Sequence, residues 1–109
     1  MIHVLDELSV RPGHLSEVHE FVRRAYEPVA TAAGMTLVHT WIAPAVELLD
    51  QPTDLLLVWE IGGTAAFWEA RLASSRDQRL ADFWDELDPL LASRTRRIMV
   101  DPDDQSVLR

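Results

Sequence analysis

Cysteine, lysine and asparagine are all absent from this chain of 109 residues. Without cysteine there is no disulfide, no thiolate nucleophile and no cysteine-ligated metal site. Without lysine there is no Schiff base and no phosphate-binding loop that depends on a lysine. The nucleophile-elbow pattern Gly-x-Ser-x-Gly is also missing. The composition therefore points to chemistry carried by histidine, acidic residues, tyrosine, tryptophan or arginine, or to no chemistry.

Long apolar runs and a surplus of positive charge are missing as well. Runs such as Leu55–Val58 are far shorter than the roughly 20 residues that a membrane-spanning helix needs, and no basic segment followed by an apolar stretch opens the chain. We therefore expect a cytoplasmic protein without membrane contact. A net charge of −8 repels a phosphate backbone, so we expect no nucleic-acid partner. We interpret the one cationic cluster, Arg94, Arg96 and Arg97, as paired or solvated arginines.

The length and composition are typical of one globular domain, with 48% hydrophobic and 26% charged residues. We place this domain at residues 1–100. An acidic tail is expected at residues 101–109, where Val107 and Leu108 are candidates for contact with a partner.

The apolar pattern predicts the order β-α-β-β-α-β. A strand over residues 2–10 is followed by a helix from about residue 14 to 33, in which apolar positions recur at steps of three and four residues. Pro28 removes a backbone hydrogen bond inside this helix, so we expect a bend near Tyr26. Gly34 suits a left-handed helix exit.

The second half of the chain completes the sheet. Residues 35–43 and 54–61 predict two antiparallel strands. The helical part that follows is predicted to be split, because a short helix starts after residues 62–64 and a new helix starts at Ser75, which fits a capping box with the glutamine three residues later. A last strand is expected from about residue 95 to 100.

Two crossover helices pack on one side of a sheet by the right-handed rule, which leaves the other face bare. Strands two and three are nevertheless apolar on both alternations, with Leu37, His39 and Trp41 on one side and Val38 and Ile42 on the other. A bare apolar face is an aggregation liability. A second copy of the chain is its simplest cover, so we expect a homodimer.

A series of short motifs runs through nearly the whole chain: Met1–Leu5, Val10–Leu15, Tyr26–Val29, Leu57–Glu60, Phe83–Trp84, Pro89–Leu91 and Arg97–Ile98. Each motif alone is unspecific. In their order and spacing they resemble the NIPSNAP-like branch of the dimeric α+β barrel superfamily.

The resemblance implies an α+β, ferredoxin-like subunit that forms a dimeric α+β barrel, with a pocket between the sheet and the helices. Members of the superfamily include cofactor-independent oxygenases of aromatic polyketides, haem-degrading oxygenases, cyclases and isomerases. Trp68 occupies the position where oxygenase members carry a tryptophan near the substrate. The chain departs from these relatives at two places. Residues 62–64 stand where the oxygenases carry an asparagine just before that tryptophan, and Asp6 stands where NIPSNAP-like sequences commonly carry an arginine on strand one.

Two histidines are candidate catalytic bases. His39 lies two residues before Trp41 on a strand, so both point to one face, where an imidazole would be partly desolvated. His3 and Glu7 lie on the same face of the first strand, and a pairing with the Glu7 carboxylate would tune His3 as a proton acceptor. The alternatives are a core or interface role for His39 and an exposed position for His3. No histidine pair has the four-residue spacing of a helical metal site, so we expect no metal.

Aromatic side chains are candidates for holding a substrate, because aromatic walls suit flat apolar ligands. Packing of the core is an equally good role for them. Arg71 would meet an anionic or phenolate oxygen, or else pair with Glu69 or Asp77. The candidates for substrate binding are Trp41, Trp59, Trp84, Tyr26 and Arg71, and Trp68 joins the two histidines as a catalytic candidate.

The leading hypothesis is a small cofactor-independent enzyme, a monooxygenase, that acts on a hydrophobic aromatic or polycyclic metabolite. Deprotonation by His39 or His3 would give an electron-rich carbanion or phenolate that reduces dioxygen itself, so no cofactor is expected. A cyclase or isomerase for the same class of substrate is one alternative. A non-catalytic dimer that binds a hydrophobic ligand is the other.

Overall fold

The computed structural model of the protein describes residues 1–103, without the side chains of Thr64 and Ser74. The tail residues Val107 and Leu108 lie outside the described residues. Within them the chain forms four strands and four helices, joined by one π-helical turn at Val22–Tyr26 and one 3₁₀ turn at Asp88–Leu90. The elements are β1 (Ile2–Val10), α1 (Leu15–Phe21), α2 (Glu27–Ala32), β2 (Thr36–Ala43), β3 (Thr53–Ile61), α3 (Thr64–Arg76), α4 (Gln78–Leu87) and β4 (Leu91–Met99).

The four strands form one antiparallel sheet in the order β2-β3-β1-β4. This is the predicted ferredoxin-like α+β fold. Each of the two central strands buries every second residue, the even positions of β1 and the odd positions of β3. These residues form the core with the inner sides of the helices. The alternate residues lie on the opposite face, which we call the open face.

A π-helical turn, Val22–Tyr26, stands between α1 and α2 where the sequence predicts a bend. Pro28, which has no backbone N–H to donate, lies near the start of α2, directly after this turn. Val18, Val22 and Tyr26 are all buried. The wider π-helical turn keeps Tyr26, four residues after Val22, on the buried side.

Three predictions of local structure are wrong. Ser75 does not start a helix: it lies inside α3, and its hydroxyl donates to the Leu72 carbonyl at 2.9 Å. Asp77 caps α4 instead, because its carboxylate accepts from the Arg79 amide at 2.9 Å. The last strand begins at Leu91 and not near residue 95, since it pairs with β1 along almost the whole length of both strands.

The third error concerns β2. Its register against β3 shifts between Leu37 and His39, so that Leu37 pairs with Trp59 while His39 pairs with Val58. Such a β-bulge moves all later side chains to the other face. Leu37 therefore lies on the helix side, whereas His39 and Trp41, which were predicted to share its face, lie on the open face.

No helix in residues 1–103 combines the length and the apolar character needed to cross a lipid bilayer.

We expect Gly34→Ala to lower the free energy of unfolding by about 1 to 2 kcal/mol, because a Cβ strains the left-handed conformation that Gly34 adopts. Its φ is +97°. Gly62→Ala is the matched control, since neither site has an atom within 4 Å of the position a Cβ would take and Gly62 does not have a left-handed φ. Urea unfolding of both variants measures the difference, and equal losses would contradict this explanation.

Candidate ligand-binding site

A cavity of about 490 Å³ lies between the helix side of the sheet and the helices α3 and α4. Its walls carry both apolar and charged side chains, with two aromatic side chains from the helices. The main apolar lining residues are Val4, Leu8, Ile61, Phe67, Leu80 and Trp84. Cavities of this size and character are typical of small-molecule sites.

A buried carboxylate stands at the floor of the cavity. Asp6 is only 3% exposed, between Val4 and Leu8 on the buried face of β1. Arg96 lies directly opposite Asp6 on β4 and donates two hydrogen bonds, from Nε to Oδ1 at 2.6 Å and from Nη2 to Oδ2 at 2.9 Å. Such bidentate, charge-assisted pairs are the strong ones. The strand register thus provides Asp6 with its counter-charge.

Trp59 completes the pairing of Asp6 from the other side. Its indole Nε1 donates to Asp6 Oδ2 at 3.0 Å, and its side chain is fully buried. Trp59 does not line the cavity and lies in the core on the same face of the sheet as Asp6. Its role in this arrangement is to satisfy and position the carboxylate.

Tyr26 brings a phenol to the same group. Arg96 Nη2 donates to the Tyr26 hydroxyl oxygen at 2.5 Å. The Tyr26 ring packs against Trp59, Phe83 and Trp84, with centroid distances of 5.4, 5.0 and 5.5 Å. Within the described residues the hydroxyl accepts this hydrogen bond and donates none. Its proton is therefore free for a ligand in the cavity.

The electrostatics keep both groups in the protonated form. Burial raises the pKa of Tyr26 above its ordinary value of 10.0, and the Arg96 charge only partly offsets this. Burial by itself would lower the pKa of Arg96, but the hydrogen bonds and charge of Asp6 outweigh it, so the pKa is raised. The site consequently offers a neutral phenol and a permanent cation at neutral pH.

Two further arginines line the cavity. The Arg94 guanidinium lies 4.1 Å from the ring centroid of Trp84 and donates to Asp88 Oδ1 at 2.8 Å. The Arg71 guanidinium lies 5.9 Å from the ring centroid of Phe67. The prediction that the cationic cluster is paired is confirmed for Arg94 and Arg96.

The structure brings together some of the predicted site residues and separates others. Tyr26, Trp84 and Arg71 line the cavity, and Trp59 donates a hydrogen bond to Asp6 at its floor. Trp68 is 57% exposed on α3 and is not part of the lining, where its neighbour Phe67 stands instead.

His3, His39 and Trp41 lie on the open face, away from the cavity. The His39 ring stacks on Trp41 with a centroid distance of 4.4 Å, and His3 Nδ1 lies 3.9 Å from Glu60 Oε1. The roles suggested for these three residues stay predictions.

Sequence reasoning did not identify Asp6 and Arg96 as site residues. The signal for Asp6 was a single acidic residue at a buried position of an alternating strand. Its partner is 90 residues away in sequence, so only the β1–β4 register reveals the pair.

We expect Arg96→Gln to lower the free energy of unfolding by about 2 to 3 kcal/mol, because it leaves the buried Asp6 carboxylate without its counter-charge. Arg94→Gln on the same strand should cost less than about 1 kcal/mol, since that ion pair is exposed. The side-chain exposures are 41% and 4% for Arg96 and Asp6, against 43% and 48% for Arg94 and Asp88. Urea unfolding compares the two variants, and similar losses would contradict a special role for the Asp6 pair.

Comparison with known proteins identifies the fold. No protein-family model and no curated protein matches this chain. Among solved structures, an uncharacterized NIPSNAP domain protein from Burkholderia xenovorans matches with a TM-score of 0.74 at 13% identity, covering 95% of this chain and 97% of that one. A NIPSNAP family protein from Agrobacterium tumefaciens matches with a TM-score of 0.69 at 20% identity, covering 95% and 96%.

A third structural neighbour, from Nitrosomonas europaea, is provisionally assigned as an antibiotic biosynthesis monooxygenase. It matches with a TM-score of 0.66 at 16% identity, covering 94% of this chain and 99% of that one. Identities this low establish the fold alone. The chain has the same ferredoxin-like α+β fold as these two NIPSNAP proteins and this third neighbour.

Proposed function

We propose that this protein is a small enzyme that oxidises a hydrophobic aromatic metabolite with dioxygen and without a cofactor, a cofactor-independent monooxygenase. The observation that carries the proposal is the aromatic-walled cavity in which the Tyr26 hydroxyl and the Arg96 guanidinium meet beside the buried Asp6. The provisional assignment of one structural neighbour as a monooxygenase agrees with it.

The walls of the cavity favour a flat apolar substrate. Phe67 and Trp84 present aromatic surface from α3 and α4, opposite the apolar residues Val4 and Leu8 of β1. Ring stacking and burial of apolar area are the interactions that such walls offer. A volume of about 490 Å³ accommodates a molecule of a few fused rings.

The part of the cavity beside Asp6 favours the ionised form of a phenol or enol. Tyr26 has a proton to donate and Arg96 has N–H groups beyond those that bind Asp6 and Tyr26, so together they donate hydrogen bonds to an oxyanion of the substrate. This interaction lowers the pKa of the bound substrate, and the proton leaves to water. The resulting carbanion or phenolate is electron-rich enough to reduce dioxygen directly.

The oxidation of an activated methylene group balances without any further reagent. One oxygen atom of dioxygen forms the new carbonyl group, and the other leaves as water with the two methylene hydrogens. The four electrons that dioxygen accepts all come from the substrate carbon. The residues of the cavity bind and orient the substrate and stabilise its charge.

This mechanism differs from the histidine-base hypothesis, because His3 and His39 lie on the open face. No histidine of the described residues lines the cavity. The same observation favours a second candidate function, a non-catalytic dimer that binds a hydrophobic ligand in this cavity.

The proposal includes a homodimer formed through the open face. Leu5, Leu56 and Val58 are only partly buried at the centre of that face, and Trp41 is 53% exposed beside them. A second copy of the sheet would cover these residues. Burial of such a patch is a favourable term in association.

We expect the protein to accelerate oxygen uptake by 1,8-dihydroxyanthrone, a flat phenol with an acidic methylene group, above the spontaneous rate. One dioxygen should be consumed for each quinone formed. Tyr26→Phe should lower kcat by about 10- to 100-fold, because it removes one donor to the oxyanion. An oxygen electrode and absorbance of the quinone give both quantities.

Arg24→Gln is the control for this experiment, since Arg24 is exposed in the same π-helical turn and does not line the cavity. Consumption of the anthrone without oxygen uptake would support a cyclase or isomerase instead. Binding without turnover would support the ligand-binding dimer. Turnover that survives Tyr26→Phe but is lost in His39→Gln would support the histidine base.

We expect Val58→Glu to convert the dimer into a monomer, because it puts a charge at the centre of the open face. Leu72→Glu is the matched control, since Leu72 is 52% exposed on α3, away from the open face. Sedimentation velocity measures the mass of each variant. A native protein that is monomeric at all concentrations, or a dimer that survives Val58→Glu, would contradict the proposed interface.

A further inference from the structure

The charges of the residues that line the cavity do not cancel one another. Three arginines and two aspartates belong to the lining: Arg71, Arg94, Arg96, Asp6 and Asp77. Arg96 is paired with Asp6 and Arg94 with Asp88. Asp77 is already engaged by Arg79, which donates to it from Nη2 at 2.7 Å and from Nε at 3.0 Å.

Arg71 is therefore the uncompensated charge of the cavity. In the described part of the chain no carboxylate lies within 4.0 Å of its guanidinium, and the pairings with Glu69 or Asp77 that the sequence suggested are absent. Its side chain is exposed and extends over the ring of Phe67, so the charge stands where the cavity opens to solvent.

The placement of this cation contrasts with the rest of the molecule. The chain carries a net charge of −8, so its overall field repels anions. A positive charge at an apolar, aromatic-walled cavity is a local exception, and planar guanidinium groups are suited to bind carboxylates through two parallel hydrogen bonds.

We infer that the substrate is an aromatic carboxylate, whose carboxylate binds Arg71 at the cavity mouth while its ring system lies between the helices and the sheet. This inference rests on the proposed function, since it names the class of substrate for the same cavity. Tyr26 and Arg96 then face the phenol or enol oxygen of the substrate. Arg71 is a specificity residue and takes no part in the oxidation.

The test compares the binding of two ligands with the same ring system, 2-naphthoate and 2-naphthamide, by isothermal titration calorimetry. The native protein should bind the carboxylate about tenfold more tightly than the amide, the usual gain for a charge-assisted contact. In Arg71→Gln this preference should fall to about twofold or less, with the affinity for the amide unchanged. Arg71→Lys should keep part of the preference, because it keeps the charge but not the planar fork.

Arg76→Gln is the matched control. It removes the same charge from the same helix, at a residue that does not line the cavity, so the tenfold preference should remain. A preference that falls equally in Arg76→Gln would mean that only the overall charge matters, and this would overturn the assignment of Arg71.

The two proposals fail in different ways. If the native protein binds both ligands equally, or if Arg71→Gln keeps the full preference, the carboxylate inference is overturned while the cavity stands as a ligand site. If neither ligand binds, the cavity does not take aromatic molecules, and the proposed function falls with the inference. Oxygen uptake with an uncharged anthrone tests the oxidation separately.

Discussion

The Asp6 carboxylate is buried on a central strand beneath the helices, and a buried charge is tolerated only when it is paired and hydrogen-bonded. Arg96 meets this requirement from the neighbouring strand and Trp59 from the strand on the other side. A slip of β4 by one residue would turn Arg96 to the open face. The pair therefore specifies the register of the sheet at the same place where it creates a polar floor for the cavity.

The same constraint determines where the phenol of Tyr26 stands. Arg96 is held by Asp6 and extends one Nη2 hydrogen to the Tyr26 hydroxyl, which the π-helical turn keeps on the buried side of the first helical stretch. Three aromatic rings pack around Tyr26. A polar group that is fixed in this way beside a cavity needs little reorganisation to bind a ligand. Structural support and the proposed ligand recognition thus depend on one network.

Much of the fold follows from local signals. The apolar and β-branched residues of 2–10, with the turn signal at residues 11–13, predict β1 with its observed bounds, and the π-helical turn lies where Pro28 predicts a bend. The cap of α4 was misplaced because Ser75 and Asp77 both suit that role, and the carboxylate of Asp77 also engages Arg79. The bulge in β2 leaves no mark in the apolar pattern, so the face of Leu37 could not be derived.

The site was harder to predict, because its central contacts join residues far apart in sequence. Tyr26, Trp84 and Arg71 were found as aromatic or charged residues on the right elements. His39 and Trp41 share a face as their spacing predicts, but spacing alone does not say which face the helices cover. That choice depends on the sheet order and on tertiary packing.

We propose that the cavity above Asp6 and Arg96 holds the substrate. A crystal structure of the protein with 1,8-dihydroxyanthrone, grown without oxygen, tests this most directly. The rings should lie between Trp84 and the sheet, with a ligand oxygen about 3 Å from the Tyr26 hydroxyl and from Arg96 Nη1. A ligand bound on the open face beside His39, or a cavity closed by its own side chains, would contradict it.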